Sequence, residues 1–166
     1  MDPRAETFVQ QARDRYGIDL AVETFPDGTE TAADAAAAVG CEVAQIACSL
    51  VFDADGDLVV VVTSGANRVS ESRLADHLDA DEVSMADPGR VYDAVGWEVG
   101  GVPPICHDAD LPVSIDASLL DHRTVWAAAG APTAVFPVPP AELADLAGAE
   151  PIEVRRGAAG PTRSST

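Results

Sequence analysis

The segment Val99–His107, which reads VGGVPPICH, contains residues that control the backbone conformation and can position main-chain groups for chemistry. Gly100 and Gly101 permit positive φ and let another group come close to the main chain. Pro103 and Pro104 fix their own φ and restrict the residue before each of them. A stiff turn of this kind can present N–H groups inward, as a cradle for an anion or a carbonyl oxygen. The same residues also describe a structural turn between two strands, because Gly and Pro punctuate most loops.

Side chains for other kinds of catalysis are sparse. The cysteines are odd in number, form no CxxC pair and fit a reducing compartment better than a disulfide framework: Cys41, Cys48 and Cys106. The histidines lack the spacing of metal ligands: His77, His107 and His122. No GxxxxGK[ST], GxGxxG or GxSxG string is present. We therefore expect no metal site and no cofactor.

The charge of the chain is strongly negative. There are 28 acidic and 10 basic residues, giving a net charge of −18, and every basic residue is Arg. Long periodic apolar runs exclude an acidic disordered protein. The balance is typical of a folded protein from a salt-loving cytoplasm, where salt screens self-repulsion. It argues against DNA as a partner, because a DNA-binding surface needs a basic stripe.

The length and the apolar pattern predict one soluble domain. With 166 residues, 47% of them hydrophobic, the chain can bury a sizeable core. No apolar run approaches a membrane span, and the first residues lack the pattern of a signal peptide, so we expect a cytoplasmic protein with no membrane partner. The domain is predicted over residues 1–155, followed by a flexible tail at 156–166.

Capping and breaker residues predict the helices. They lie at Glu6–Tyr16, Thr31–Val39, 70–78 with Ser70 as cap, 87–95 with Asp87 as cap, and Ala141–Leu146. Strands are predicted around Leu20–Phe25, at Gln45–Phe52, Leu58–Thr63, Pro112–Asp116, Arg123–Ala128 and Ala134–Val138, and at Ile152–Val154. The second and third strands form a hairpin. The order lacks a βαβ rhythm, which predicts an α+β fold with a mixed or antiparallel, strongly curved sheet.

Five segments, in order, carry a resemblance to a known family. They are IACSLVF, VVVVTSGANRV, WEVGGVPPICH, LPVSIDASLL and VWAAAGAPTAVF. In this order and spacing the chain resembles the YbaK/EbsC family of aminoacyl-tRNA deacylases, whose relatives include the editing domain of bacterial prolyl-tRNA synthetases. The resemblance covers Phe8–Glu153. It implies a mixed α/β fold with a curved, barrel-like sheet surrounded by helices.

The resemblance also implies an activity, the hydrolysis of the ester between a wrong amino acid and the terminal ribose of a tRNA. The family's GxxxP loop matches Gly100–Pro104, so the implied catalytic groups are the backbone N–H groups of Gly100, Gly101 and Val102. They would hold the substrate carbonyl or the developing oxyanion. The attacking water would be assisted by the ribose hydroxyl of the substrate.

One residue departs from the family pattern. Family members carry a Lys in the strand that reads IAKSLVF or IVKTLVF, and here that position is Cys48. Cys48 is then either a nucleophile or polar group of the pocket, or a small residue of the pocket wall. A reactive thiol needs a nearby base or cation, for which His107 and Arg68 are the candidates.

The substrate-binding residues that the resemblance implies are Ser49, Thr63, Ser64, Gly65, Asn67, Arg68, Pro104, Asp116 and Gly130. Several have a structural alternative: Arg68 and Asn67 contact the tRNA backbone or are loop residues, and Asp116 lines the pocket or caps a turn. Gly130 is a pocket glycine or a turn glycine. His107 is a general base or a loop-packing residue, while Trp97 and Trp126 are expected in the core.

Three functions remain open from the sequence. The first is a trans-acting deacylase for a small mischarged amino acid, such as Ala or Cys, on tRNA for proline. The second is a non-catalytic module that kept the pocket and lost turnover together with the family Lys, and the third is a hydrolase of another small aminoacyl ester. The expected partners are the aminoacyl-tRNA 3′ end and prolyl-tRNA synthetase, and the expected state is a monomer or homodimer.

Overall fold

The computed structural model describes residues 2–25 and 31–153. Within them five α-helices form: α1 (Pro3–Tyr16), α2 (Ala32–Val39), α3 (Glu71–Leu78), α4 (Pro88–Val95) and α5 (Pro140–Ala147). All five were predicted, but α1 begins three residues before the predicted Glu6, because the Asp2 side chain caps it. The Thr31 hydroxyl accepts from the Asp34 N–H at the start of α2, and the Asp87 carboxylate accepts from two N–H groups at the start of α4. The tail predicted at 156–166 lies outside the described residues.

The strands join in one mixed sheet. They are β1 (Glu23–Thr24), β2 (Ile46–Ala54), β3 (Asp57–Ser64), β4 (Val83–Met85), β5 (Val113–Asp116), β6 (Val125–Ala128), β7 (Ala134–Val138) and β8 (Glu150–Ile152). Their order is β1-β7-β6-β2-β3-β5-β8, and β4 pairs with β2. The pairs β2/β6, β3/β5 and β5/β8 are parallel, and the others are antiparallel. The mixed α/β fold expected from the sequence is confirmed.

The hairpin of β2 and β3 is the centre of the sheet. Its turn consists of Asp55 and Gly56, both at positive φ (52° and 97°), as a two-residue hairpin turn requires. The two strands are longer than predicted, because the ladder continues through Asp53 and Ala54 to the turn. The valines of β3 are buried on both faces of the sheet, Val60 and Val62 against one cluster and Val61 against another.

Other predicted strands also change their bounds, and one strand was missed. β1 keeps only two residues of the predicted Leu20–Phe25, while β5 begins at Val113, β6 at Val125 and β8 at Glu150. The missed strand, β4, has three residues, two of them exposed, so it lacks the apolar alternation that marks a strand. It forms because its backbone pairs with the end of β2.

The main core fills one side of the curved sheet. Phe8 of α1 packs there against Trp97 and Phe136, with ring centroids 6.0 Å and 5.3 Å apart. Trp97 is 5% exposed, as expected for a core residue. Its indole N–H donates to the Cys106 carbonyl at 3.0 Å, which ties the segment after Gly100 to the core. The core therefore fixes Trp97 and Cys106, which lie on either side of the turn formed by Gly100–Pro104.

Candidate active site

A cavity of about 480 Å³ opens beside β2. It is called the central cavity below. Its walls come from α2, β2, the β4–α4 segment, the β6–β7 hairpin and the loop Gly100–Pro104, which is called the Gly-Gly loop below. Most of the lining is apolar, and Cys48 is the one ionisable side chain among the described residues that line it. A volume of this size is typical of a site for a small molecule or for the end of a larger one.

The cavity lies where the sheet is incomplete. Along one edge of β2, β6 pairs with Ile46 and Ala47, and β4 pairs with residues 52–54. The Ala86 N–H adds one bond to the Val51 carbonyl, at 3.0 Å. Between these contacts, the β2 edge at Ser49 has no partner strand within the described residues. An unpaired strand edge offers N–H and C=O groups to a ligand.

Ser49 contributes a side chain to the same gap. Ser49 lines the central cavity, and its hydroxyl is buried and has no hydrogen-bond partner among the described residues. Buried hydroxyls are normally hydrogen-bonded, because leaving one unpaired costs about 1–3 kcal/mol. An unpaired hydroxyl in a cavity wall therefore marks a position where a ligand can bind.

The Gly-Gly loop forms another part of the wall. Gly100 has φ +97° and lines the cavity together with Val102. The Gly101 N–H is used internally, in a bond of 3.0 Å to the Glu98 carbonyl. Within residues 2–25 and 31–153, the N–H groups of Gly100 and Val102 have no acceptor, and Val102 is buried. A buried unpaired N–H is rare in folded proteins, so this group is free to bind a ligand oxygen.

Two glycines allow the loop to pack against the β6–β7 hairpin. A Cβ on Gly101 would lie 2.8 Å from the Cα of Ala131, a contact between backbones that cannot relax by a side-chain rotation. Gly130 has φ +95°, and a Cβ there would lie 2.7 Å from the ring of Trp97. Neither glycine lines the central cavity. Both occupy positions where any side chain would push the loop away from its support.

Behind the loop, His107 and Arg15 stabilise the turn. The His107 Nε2 lies 2.7 Å from the Pro103 carbonyl, and Arg15 donates to the His107 carbonyl at 3.1 Å. Pro104 and His107 line a separate cavity of about 180 Å³. Burial lowers the pKa of His107, so its imidazole is neutral at pH 7. His107 therefore faces away from the central cavity and holds the turn that carries the loop.

Cys48 lies in the cavity wall among apolar residues. It packs against a cluster that includes Ala36 and Ile46. Burial raises the pKa of its thiol, and no cation is among the causes that act on it. A thiol with a raised pKa is protonated at neutral pH and is a poor nucleophile. Neither Arg68 nor His107 lines the cavity, so the two partners considered for a thiolate lie elsewhere.

Four of the expected substrate-binding residues lie in a separate hydrogen-bonded cluster or beside it. Asp116, with 0% exposure, accepts from the Asn67 amide at 2.9 Å and from the Thr63 hydroxyl at 3.4 Å. Asp116 also accepts from the N–H and the hydroxyl of Ser118, at 3.0 Å and 2.8 Å. Ser64, the neighbour of Thr63, donates to the Ala44 carbonyl at 2.8 Å. These polar groups are paired within the protein.

The remaining expected residues lie near the cavity without lining it. Gly65 follows β3, where a Cβ would lie 2.6 Å from the Cβ of Ala32 and 3.3 Å from that of Ile46, two residues of the cavity wall. Arg68 is exposed on the loop that follows. Of the expected site residues, the cavity thus brings together Cys48, Ser49, Gly100 and Val102.

Sequence reasoning missed much of the cavity wall. Trp126, expected in the core, is half-buried and lines the cavity. Met85 and Val99 also line it, and they are 51% and 52% exposed, which puts them at its mouth. A patch of large exposed apolar side chains is a signal of a binding site. The sequence alone did not reveal it, because the exposure of a side chain depends on the fold.

Two further properties concern only the described part of the chain. None of its helices is both long enough and apolar enough to cross a membrane. Residues 2–25 and 31–153 also contain no group of three or more His, Cys, Asp or Glu side chains placed to hold a metal ion.

Comparison with solved structures finds close likenesses over the whole fold. A crystal structure described as that of a candidate trans-editing enzyme for prolyl tRNA synthetase has a TM-score of 0.90 and 36% identity. The match covers 95% of this chain and 99% of that one.

Curated relatives show the same relationship. Protein YwhH of Bacillus subtilis (strain 168) is 28% identical over 125 residues, 75% of this chain and 80% of that protein. The proline–tRNA ligase of Lactobacillus johnsonii is 31% identical over 120 residues, 72% of this chain but 21% of the ligase. The chain thus spans about a fifth of that enzyme. The family model of the aminoacyl-tRNA editing domain matches residues 26–146. With the central cavity and its Gly-Gly loop, these matches show that the chain belongs to the aminoacyl-tRNA editing domain family.

Proposed function

We propose that this protein is a trans-acting deacylase that hydrolyses a small mischarged amino acid, such as Ala or Cys, from tRNA for proline. The observation that carries the proposal is the position of Val102, a buried residue of the cavity wall whose N–H has no acceptor among the described residues. The described lining has no acid or base besides a protonated thiol. Such a site suits an ester whose carbonyl needs a hydrogen-bond donor. The comparison with a candidate trans-editing enzyme for prolyl tRNA synthetase supports the choice of tRNA.

The reaction needs little from the side chains. Water attacks the ester carbonyl carbon, and the N–H groups of Gly100 and Val102 stabilise the oxyanion that forms. The bond between this carbon and the ribose oxygen then breaks, the ribose oxygen takes a proton, and the free amino acid leaves. The neighbouring ribose hydroxyl of the substrate orients the water. One oxyanion donor of this kind typically contributes about 10²–10³ in rate.

The cavity wall supports a preference for small amino acids. The lining contributed by α2 and the β6–β7 hairpin is rich in Ala and Pro, and it includes Ala32, Ala35 and Pro132. A second site of this kind hydrolyses what is small enough to enter, so selectivity comes from exclusion.

The test is a deacylation assay on tRNA for proline charged with Ala, Cys, Ser or Pro, at molar KCl. We expect hydrolysis of the Ala or Cys ester and little hydrolysis of the cognate Pro ester. Hydrolysis of small aminoacyl esters regardless of the tRNA would instead support a general aminoacyl esterase.

A non-catalytic binding module is the second candidate, because the buried Cys48 occupies the position of the family Lys. Tight binding of the charged tRNA without turnover would support it. The variant Cys48→Lys tests the missing charge directly: a gain of activity means that the charge was limiting, and an unchanged rate in a protein that is already active means that backbone groups suffice.

A further inference from the structure

Ser49, in the wall of the central cavity, carries three polar groups for which no partner is found among the described residues. Its hydroxyl is buried and has no hydrogen-bond partner there. The Gly65 N–H donates to the Ile46 carbonyl, so even-numbered residues of β2 direct their main-chain groups toward β3. The Val51 carbonyl accepts from Ala86 on the other edge, so odd-numbered residues face away from β3. The N–H and C=O of Ser49 therefore point into the gap in the sheet, beside its hydroxyl.

The polarity of the cavity is divided between two walls. The loop wall offers donors, the N–H groups of Gly100 and Val102, while the β2 wall offers two acceptors on one residue, the carbonyl and hydroxyl of Ser49. No carboxylate lines the cavity among the described residues. Ser49 thus offers a cationic group of a ligand two hydrogen-bond acceptors on one residue.

We propose that Ser49 binds the α-ammonium group of the aminoacyl moiety, through its main-chain carbonyl and its hydroxyl. The assignment rests on the proposed function, because an aminoacyl ester carries an α-amino group next to its carbonyl. It orients the substrate: the ammonium group lies at the β2 edge, the ester carbonyl at the Gly-Gly loop, and the side chain among the small apolar residues. The site then selects acyl groups with a free amino group.

The experiment compares alanyl and propionyl esters of the same tRNA, which differ by the amino group. Each enzymatic rate is divided by the rate of uncatalysed hydrolysis of the same ester, because the amino group itself activates the carbonyl. We expect the wild-type protein to prefer the alanyl ester by about tenfold or more in kcat/KM, the effect of one or two hydrogen bonds to a charged group. Equal normalised rates would overturn the assignment and leave the proposed function intact.

The variant Ser49→Ala tests whether the preference for the alanyl ester depends on the Ser49 hydroxyl. Ser49→Ala removes the hydroxyl and keeps the carbonyl, so the preference for the alanyl ester should fall several-fold while the propionyl rate changes little. Ser84→Ala is the matched control, since Ser84 is exposed on β4 and does not line the central cavity. A preference that is unchanged in Ser49→Ala contradicts the role of the hydroxyl. No turnover of either ester by the wild-type protein would remove the proposed function and this inference with it.

Discussion

Ser49 and Asp116 both place polar atoms inside the same curved sheet, but their surroundings differ. Asp116 accepts hydrogen bonds from three neighbouring side chains and one N–H, all within the protein. Ser49 lies two residues from Val51, whose carbonyl accepts from Ala86, and its hydroxyl has no partner among the described residues. The first arrangement is satisfied within the protein, whereas the second leaves a hydroxyl without a partner among the described residues.

The comparison divides the expected site residues by whether their hydrogen bonds are satisfied. A buried polar group that is fully paired stabilises one conformation, and one that is unpaired costs stability until a ligand binds. On this basis the Asp116 cluster, with Thr63, Asn67 and Ser118, is proposed as support for the ends of β3 and β5. The open groups of Ser49, Gly100 and Val102 are proposed as the binding surface.

The largest expected effect concerns the Gly-Gly loop, whose Gly100 and Val102 N–H groups have no acceptor among the described residues. Gly101→Ala places a Cβ 2.8 Å from the backbone of Ala131 and must displace the loop that carries the Gly100 and Val102 N–H groups. We expect the deacylation rate to fall by about 10²–10³, the contribution of an oxyanion donor. Gly89→Ala is the control, since its Cβ would meet only the end of the Asp87 side chain. Full activity of Gly101→Ala in a folded protein would show that the loop is not the cradle.

The next largest effect concerns Asp116, whose hydrogen bonds are made within the protein. Asp116→Ala leaves the Asn67 amide and the two hydroxyls without their shared acceptor, and it should lower the free energy of unfolding by about 3 kcal/mol. Denaturant titration measures the change, with the exposed Asp121→Ala as control. If Asp116→Ala keeps its stability and loses its activity, the cluster belongs to the binding surface instead.

Salt separates contacts in the cavity from contacts with phosphates. The described lining of the cavity carries no charge at neutral pH, so deacylation should persist at molar KCl. Proteins that bind tRNA through many phosphate contacts lose about 10³-fold or more in affinity as salt rises. The net charge of −18 predicts the same preference, because salt screens the repulsion between acidic residues. Activity restricted to low salt would contradict both the predicted salt-loving habitat and a reaction that depends on the uncharged cavity.

The smallest expected effect concerns Cys48. Because burial raises the pKa of its thiol, the thiolate forms only above the ordinary range for cysteine and is scarce between pH 6 and 8. Cys48→Ala should therefore retain the deacylation rate and its pH profile in that range, measured by single-turnover kinetics. A large loss in Cys48→Ala, with Cys41→Ala unaffected, would show that the thiol takes part in the reaction.

Local signals predicted most of the helices and the central hairpin. Thr31, Ser70 and Asp87 cap their helices through side-chain oxygens, and an Asp-Gly turn closes the hairpin, so these elements depend on neighbouring residues alone. The family resemblance identified the mixed sheet and the Gly-Gly loop. β4 escaped prediction because three residues with two exposed side chains carry no periodic pattern.

The net negative charge, three of the helix caps, the stiff Gly-Gly-Val-Pro-Pro turn and the Cys at the family's Lys position can all be read from the amino-acid sequence. Which polar residues lack a partner follows from the fold. Pairing depends on which strands meet: β6 and β4 leave a gap along β2 at Ser49, while β3 and β5 bring Asn67 and Thr63 to Asp116. Whether a polar group finds a hydrogen-bond partner depends on contacts between residues far apart in the chain. Residue types and local spacing are therefore not enough to predict it.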